Sequence, residues 1–279
     1  MVSNTLEGRN QVVVLPTGSG KSLCFQLAGL LLDGPTLVLL PLLSLLADQL
    51  RRLRESGVAA AELRGGQQRA ERDALFASVA AGRVRILLAT PEACLVEGTL
   101  QRLAALSFSH LVVDEAHCIA EWGDSFRPSY LGLGALARAI GAPVVTAFTA
   151  TASEPVIRRI REVLLLGDET RVVAGDPDRP NIRYAVLPVL ARARAVEEIA
   201  RSRPRPLLVF CRTRDGAELL ARETRRRLAG LPNPVDGVLF YHAGLSREER
   251  AEVERRFLPS GDAILFATSA YGMGVDKPD

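Results

Sequence analysis

The sequence predicts an α/β protein of two tandem domains with parallel sheets, the second incomplete at its C-terminal end. Apolar runs of strand type recur at Val12–Leu15, Thr36–Leu40, Val84–Ala89, His110–Val113 and Val144–Phe148, each followed by a segment of helical type. That alternation builds a parallel sheet with helices on both faces. A stretch rich in glycine, proline and acidic residues, Gly175 to Asn181, then interrupts the pattern. Beyond it the alternation resumes, with strands near Ile182–Leu187, Leu207–Cys211, Val235–Tyr241 and Ala263–Ala267. The boundaries read as residues 1–174 for the first domain, 175–186 for the connection and 187–279 for the second.

The elements follow from their patterns. Strands buried on both faces need no polar alternation, so the first run, Val12–Leu15, is wholly apolar. Between the second and third runs, Leu43, Leu46, Ala47, Leu50 and Leu53 recur near a 3.6-residue spacing while Asp48, Arg51, Arg52 and Arg54 fall on the other side. Ser153-Glu154-Pro155 supplies a cap residue and an early proline for a helix running to about Leu166, and Arg171–Ala174 is a short strand after it.

A chain of 279 residues is long enough for two such cores. With 48% hydrophobic and 24% charged residues it is globular in composition, and a net charge of +3 permits contact with nucleic acid without requiring it. Cys24, Cys94, Cys118 and Cys211 lie far apart, without the paired spacing of a zinc site or a disulfide framework. They read as small core residues in a reducing compartment, and no zinc site is expected. The apolar region Leu23 to Leu46 is interrupted by Asp33, Gly34, Pro35 and Pro41, short of the roughly 20 residues a membrane span needs. No basic segment followed by an apolar stretch and a cleavage site opens the chain. The expectation is a cytoplasmic protein without membrane contact.

Two stretches carry the chemistry. In Pro16-Thr17-Gly18-Ser19-Gly20-Lys21-Ser22 a glycine-rich turn lies between an apolar strand and a helical run. Backbone N–H groups of such a turn cradle phosphate, Lys21 reaches the terminal phosphates and the Ser22 hydroxyl takes Mg²⁺. The second stretch is Leu111-Val112-Val113-Asp114-Glu115-Ala116-His117. Two carboxylates after a strand also arise as helix caps. Paired with the first stretch, however, they place Asp114 as the acidic partner of the metal. Leu15 stands where the full phosphate-loop pattern has its first glycine.

In order along the chain, these stretches and others resemble the motifs of the RecQ family of ATP-dependent DNA helicases, in superfamily 2. Leu15 through Gln26 is similar to motif I, Pro41 through Gln49 to motif Ia and Ala89-Thr90-Pro91-Glu92 to motif Ib. The stretch from Asp114 to Tyr130, with Trp122-Gly123 and Phe126-Arg127-Pro128, resembles motif II and the aromatic-rich loop after it. Thr149-Ala150-Thr151-Ala152 is similar to motif III and Val209 through Arg214 to motif IV. Tyr241-His242-Ala243-Gly244-Leu245 and Thr268 through Asp279 complete the series.

The resemblance implies two RecA-like domains that use ATP and Mg²⁺ to move 3′→5′ on single-stranded DNA and open duplexes. It also implies phosphate binding by Thr17, Gly18, Ser19, Gly20 and Lys21, Mg²⁺ at Ser22 and Asp114, and a water-positioning Glu115. His117 would link the site to motif III, and Gly274 and Asp276 would join the nucleotide site from the second domain. Ser44, Thr90, Trp122, Phe126, Arg127, Thr149, Thr151, Thr213, His242 and Thr268 would contact DNA or couple it to hydrolysis. For Ser44, Thr90, Thr213, His242 and Thr268 the alternative is an ordinary capping or loop residue, for His117 a satisfied histidine at a helix start, and for Trp122 a core side chain. The run Arg222–Arg227 fits either a phosphate track or the solvated face of a helix.

Glu121 and Asp124 stand where the family has glutamine and histidine, and carboxylates beside DNA repel phosphate. The family's adenine-recognition motif would precede Met1, and motif VI with its arginine finger would follow Asp279. The expectation is therefore a motor core truncated at both ends, with impaired turnover. A DEAH-type RNA helicase and a nucleotide-binding regulatory protein that unwinds nothing are the alternatives.

Overall fold

The structure, a computed structural model, describes residues 1–271 except 97, 123–127, 165, 168, 177, 179 and 230–236, with residue 122 described by its backbone alone. It divides into two compact units, Met1–Pro180 and a second that begins at Asn181.

In the first unit a helix, α1 (Val2–Leu6), precedes seven strands: β1 (Gln11–Val14), β2 (Thr36–Leu39), β3 (Ala60–Leu63), β4 (Ile86–Ala89), β5 (His110–Val113), β6 (Val144–Thr149) and β7 (Arg171–Ala174). All pair in parallel, in the order β3-β4-β2-β5-β6-β1-β7. Neighbouring residues of a strand point to opposite faces. Thus Val12 joins one core layer with Leu37, Leu111 and Val113, while Val13 joins the other with Val38, Val112 and Phe148. Two helices close the second layer, α2 (Lys21–Leu31) through Phe25 and α3 (Leu43–Glu55) through Leu46, Leu50 and Leu53. Phe25 meets Phe148 edge to face, ring centroids 5.8 Å apart. The buried stripe of α3 is narrower than the spacing suggests, because Leu43, in its first turn, is 56% exposed.

The register fixes which strand ends meet. Val14 pairs with Thr149 and Val113 with Ala147, so β5, β6 and β1 are consecutive, with β1 and β6 ending level and β5 two residues earlier. At the opposite ends of the strands lie buried polar groups. His110 Nε2 is 2.9 Å from Thr146 Oγ1, and Gln11 donates to Thr5 Oγ1 at 2.9 Å while accepting from Asn4. Burial lowers the pKa of His110 to about 4. Its folded-state pKa thus lies below the ordinary imidazole value near 6.5, and between those two pH values the unfolded chain binds the extra proton. The contribution of His110 to stability is intact at pH 7 and is lost as pH drops through this window, by about 2 to 3 kcal/mol at pH 4.5. Urea titrations from pH 7 to 4.5 test this. A His110→Leu variant should show a fall shallower by about one proton, whatever its absolute stability.

The second unit contains the parallel strands β8 (Leu207–Phe210), β9 (Val238–Tyr241) and β10 (Ile264–Ala267) in the order β8-β10-β9. The helix Arg214–Leu228 packs Ala217, Ala221 and Leu228 against Ile264 and Phe266. The helix Arg247–Phe257 opens with a reciprocal capping box between Ser246 and Glu249. No strand forms over 182–187, which differs from the sequence expectation. Tyr184 and Val186 are 79% and 95% exposed there, and a strand needs both a ladder partner and an apolar surface to cover.

Candidate active site

The loop from Leu15 to Gly20 leaves β1 and enters α2. Gly18 and Gly20 take φ of +81° and +83°, the left-handed region that side chains disfavour, and Gly20 is the N-cap of α2. The turn is closed by Ser19, whose N–H and hydroxyl both donate to the carbonyl of Pro16, the hydroxyl at 2.7 Å. Lys21 folds back over this loop and donates to the carbonyls of Leu15 and Pro16, at 3.1 and 3.4 Å. The first-turn N–H groups of an 11-residue helix have no intrahelical acceptor and carry its positive dipole end, the arrangement that attracts an anion. Ser22, one residue on, accepts from Gln49 Nε2 at 2.9 Å.

Two strands away, Asp114 leaves β5 with its N–H on the carbonyl of Leu39. The chain then turns through Glu115 at φ +49°, a left-handed conformation costing a non-glycine residue about 1 to 2 kcal/mol. Two bonds hold that turn. The N–H of Glu115 donates to Asp114 Oδ1 at 3.0 Å, and that of Ala116 to the carbonyl of Phe148 at 2.7 Å. Strain retained in this way directs both carboxylates to the strand ends. Burial and the neighbouring Glu115 charge push the Asp114 carboxyl up to about 6, against the N–H of Glu115 and the charges of Lys21 and His117. Burial acts on Glu115 in the same sense but is outweighed by His117 and Lys21, so Glu115 lies below the usual carboxylate range. Lys21 therefore acts electrostatically on both carboxylates, and the glycine-rich loop and the end of β5 share one crevice. A buried carboxylate beside a second one is relieved by a nearby cation, so the chemistry of Asp114 suits a divalent metal.

His117 ties this crevice to β6. Its Nδ1 lies 3.3 Å from Glu115 Oε2 and 3.1 Å from Thr149 Oγ1, and its Nε2 lies 3.8 Å from Cys118 Sγ. The Cys118 sulfur and the Glu115 carboxylate raise the imidazole well above its ordinary range, against the cost of burial. A charged imidazole donates from Nδ1, so Thr149 accepts and passes its own proton to the carbonyl of Thr151 at 2.8 Å. The N–H of Thr151 returns to Thr149 Oγ1 at 3.3 Å. Lys21, Asp114, Glu115, His117, Thr149 and Thr151 are thus gathered at the C-terminal ends of three adjacent strands, and Ser22 follows Lys21 in α2.

A family profile described as "DEAD/DEAH box helicase" matches residues 1–160, and one described as "Helicase conserved C-terminal domain" matches residues 191–279. The chain belongs to the DEAD/DEAH box helicase family. Within the family it is 36% identical over its whole length to a probable ATP-dependent DNA helicase RecS of Bacillus subtilis, covering 55% of that protein. It is 32% identical over 99% of its length to an ATP-dependent DNA helicase RecQ of Pasteurella multocida, covering 43% of that one. The chain spans about half the length of these curated relatives. The likeness to RecQ helicases read from the motifs is borne out by them. Among solved structures, the DUF1998 helicase MrfA bound to DNA matches the whole chain with a TM-score of 0.74 at 20% identity, over 40% of its own length. The helicase Lhr of Mycobacterium smegmatis, bound to single-stranded DNA and AMP-PNP, matches 99% of the chain with a TM-score of 0.66 at 23% identity, over 39% of its length. Both likenesses establish the fold.

The remaining residues expected from the sequence divide by location. Ser44 is exposed in the first turn of α3. Thr90 and Thr213 are N-caps, accepting from Ala93 at 3.4 Å and Gly216 at 3.1 Å. In the second unit His242 is buried, with Nδ1 accepting from the N–H of Gly244 and Nε2 3.1 Å from Glu218. Thr268 donates its N–H to the carbonyl of Tyr241. Three arginines of the run 222–227 are engaged within the second unit: Arg222 by Glu218, Arg225 by the carbonyl of Val238 and Arg227 by Glu197. That favours the helix-face reading of the run. Phe126, Arg127, Gly274, Asp276 and the Trp122 side chain lie outside what is described. Sequence reasoning missed Gln26 and Gln49, although each is a polar residue closing one of the motif-like stretches.

Proposed function

We propose that this chain is the motor core of a RecQ-type ATP-dependent DNA helicase, with residues 1–174 and 187–279 as its RecA-like domains. The reading rests above all on one observation, the gathering of Lys21, Asp114, Glu115 and the His117–Thr149 pair at the ends of three adjacent strands. In this reading the amides of Gly18 to Lys21 hold the phosphates of ATP, and the Lys21 ammonium neutralises the charge that grows on the terminal phosphoryl group. Ser22 and Asp114 hold Mg²⁺, which when bound neutralises charge on the phosphate oxygens. Glu115 orients the attacking water and accepts its proton on a carboxylate oxygen. The hydrogen-bond path from Glu115 through His117 to Thr149 and Thr151 passes a change at the crevice to the segment after β6. Ser44, exposed in the first turn of α3, contacts the DNA backbone, and Thr90, Thr213, His242 and Thr268 contact it or couple it to hydrolysis from the loops and caps they hold. Trp122, Phe126 and Arg127 engage bases, for which a π-face suffices whatever the sequence.

The test is ATP turnover with no nucleic acid, with single-stranded DNA and with RNA of equal length. DNA should stimulate and RNA should not. In Trp122→Ala the basal rate should stay within about twofold while most of the stimulation is lost, since stacking contributes about 1 to 3 kcal/mol per base. Equal stimulation by RNA would assign the chain to RNA, and a lower melting temperature in Trp122→Ala would place that side chain in the core.

A further inference from the structure

The glycine-rich loop is held by its own backbone, but the Ser22 hydroxyl is held by another helix. Gln49, in the middle of α3, donates from Nε2 to Ser22 Oγ at 2.9 Å. Gln49 is itself fixed, because Gln26 on α2 donates from Nε2 to Gln49 Oε1 at 3.1 Å. The three side chains are half-buried and form one chain of hydrogen bonds between two helices whose facing surfaces are otherwise apolar. Polar side chains at such a seam are retained at a cost unless each is satisfied, and here each satisfies the next.

We infer that Gln49 is a positioning residue for the nucleotide site, setting the Ser22 hydroxyl from α3, with Gln26 fixing the Gln49 amide. This rests on the reading of Ser22 as a ligand of Mg²⁺. A serine hydroxyl has two lone pairs and one rotatable proton. The Gln49 N–H occupies one lone pair and limits rotation, which leaves the second lone pair a defined direction for a metal. Turning both amides over would reverse the polarity of the chain and still hold Ser22 from α3. The same helix presents Ser44 in its exposed first turn, so a shift of α3 imposed there reaches the metal ligand about one and a half turns along. The structure thereby assigns α3 a direct handle on the metal ligand, separate from the route through His117 and Thr149.

Calorimetric titration of the 279-residue chain with ATP, in Mg²⁺ and in EDTA, tests the assignment without relying on turnover. Gln49→Met keeps an unbranched side chain of similar length and removes both hydrogen bonds. It should weaken binding in Mg²⁺ about 3- to 10-fold, the scale of one or two hydrogen bonds, and leave binding in EDTA unchanged. Gln26→Met should give a smaller loss of the same kind. Adding Gln49→Met to Ser22→Ala should produce no further loss, because the group being positioned is gone. If Ser22→Ala loses the Mg²⁺-dependent part of binding and both glutamine variants keep it, the positioning role is overturned and the metal assignment stands. If Ser22→Ala itself keeps it, the metal assignment fails and takes this inference with it. Equal weakening in EDTA and Mg²⁺ would show a purely structural contact and would also overturn the inference. A melting temperature measured for each variant identifies any that misfold, and Gln26→Met, which leaves the Gln49 bond to Ser22 in place, then serves as the deciding variant.

Discussion

Lys21→Ala is expected to weaken binding of ATP with Mg²⁺ by about 10- to 100-fold, the scale of a lost charge-assisted hydrogen bond. Turnover should fall further, by about 10² to 10³, because the ammonium contributes most where charge grows in the transition state. The fold should hardly change. Among the described residues Nζ bonds the carbonyls of Leu15 and Pro16, on a loop that Ser19 and the two left-handed glycines already define. An unfolding free energy from urea titration within about 0.5 kcal/mol of the parent is therefore expected. Calorimetry settles the affinity, and equal binding by variant and parent would remove the phosphate cradle from this loop.

How much of this was legible in the sequence depends on how each residue earns its place. Strand β5 stands where its apolar run puts it, because a strand covered on both faces leaves a continuous apolar signature. Strand β3, Ala60 to Leu63, left none. It is a short edge strand of small residues with a glutamate, paired on one side only, and only Leu63 of its four residues is buried. The opposite error fell on 182–187, where β-branched and aromatic residues suggest a strand that does not form. Pattern reports what a residue favours, and pairing also needs a neighbour.

The site divides in the same way. The glycine-rich loop and the carboxylate pair were legible because phosphate chemistry demands those residue types at those spacings. The left-handed Glu115 was not, since nothing in Asp-Glu-Ala-His announces a backbone held by Phe148 of another strand. Nor was the Gln26–Gln49–Ser22 chain, which depends on the packing of two helices that brings together glutamines 23 residues apart in sequence. Thr90 and Thr213 show the limit from the other side. Both sit in helicase-like motifs, and both have a sufficient structural occupation as helix caps.

Glu115→Gln should uncouple binding from hydrolysis. The amide has almost the shape of the carboxylate, and the bonds that hold the turn come from the backbone N–H groups of residues 115 and 116, so the left-handed conformation is kept. What is lost is the negative charge and the capacity to accept a proton from water. General-base assistance is worth about 10² to 10⁴ in rate, and the turnover number should fall by that factor. ATP affinity in Mg²⁺ should stay within about threefold, since no phosphate contact is removed. The charge change also reaches His117. The carboxylate 3.3 Å from Nδ1 is one of the two groups that raise this imidazole, so its pKa should move back toward the ordinary range in Glu115→Gln, a shift that NMR titration of His117 reads directly. A variant that binds ATP normally, shows that shift and still hydrolyses at the parental rate would take the catalytic role away from Glu115 and leave it a partner of His117. Loss of binding together with turnover would instead mean that the turn had collapsed, which Glu115→Asp, equally charged but one methylene shorter, separates by keeping the charge and changing the reach.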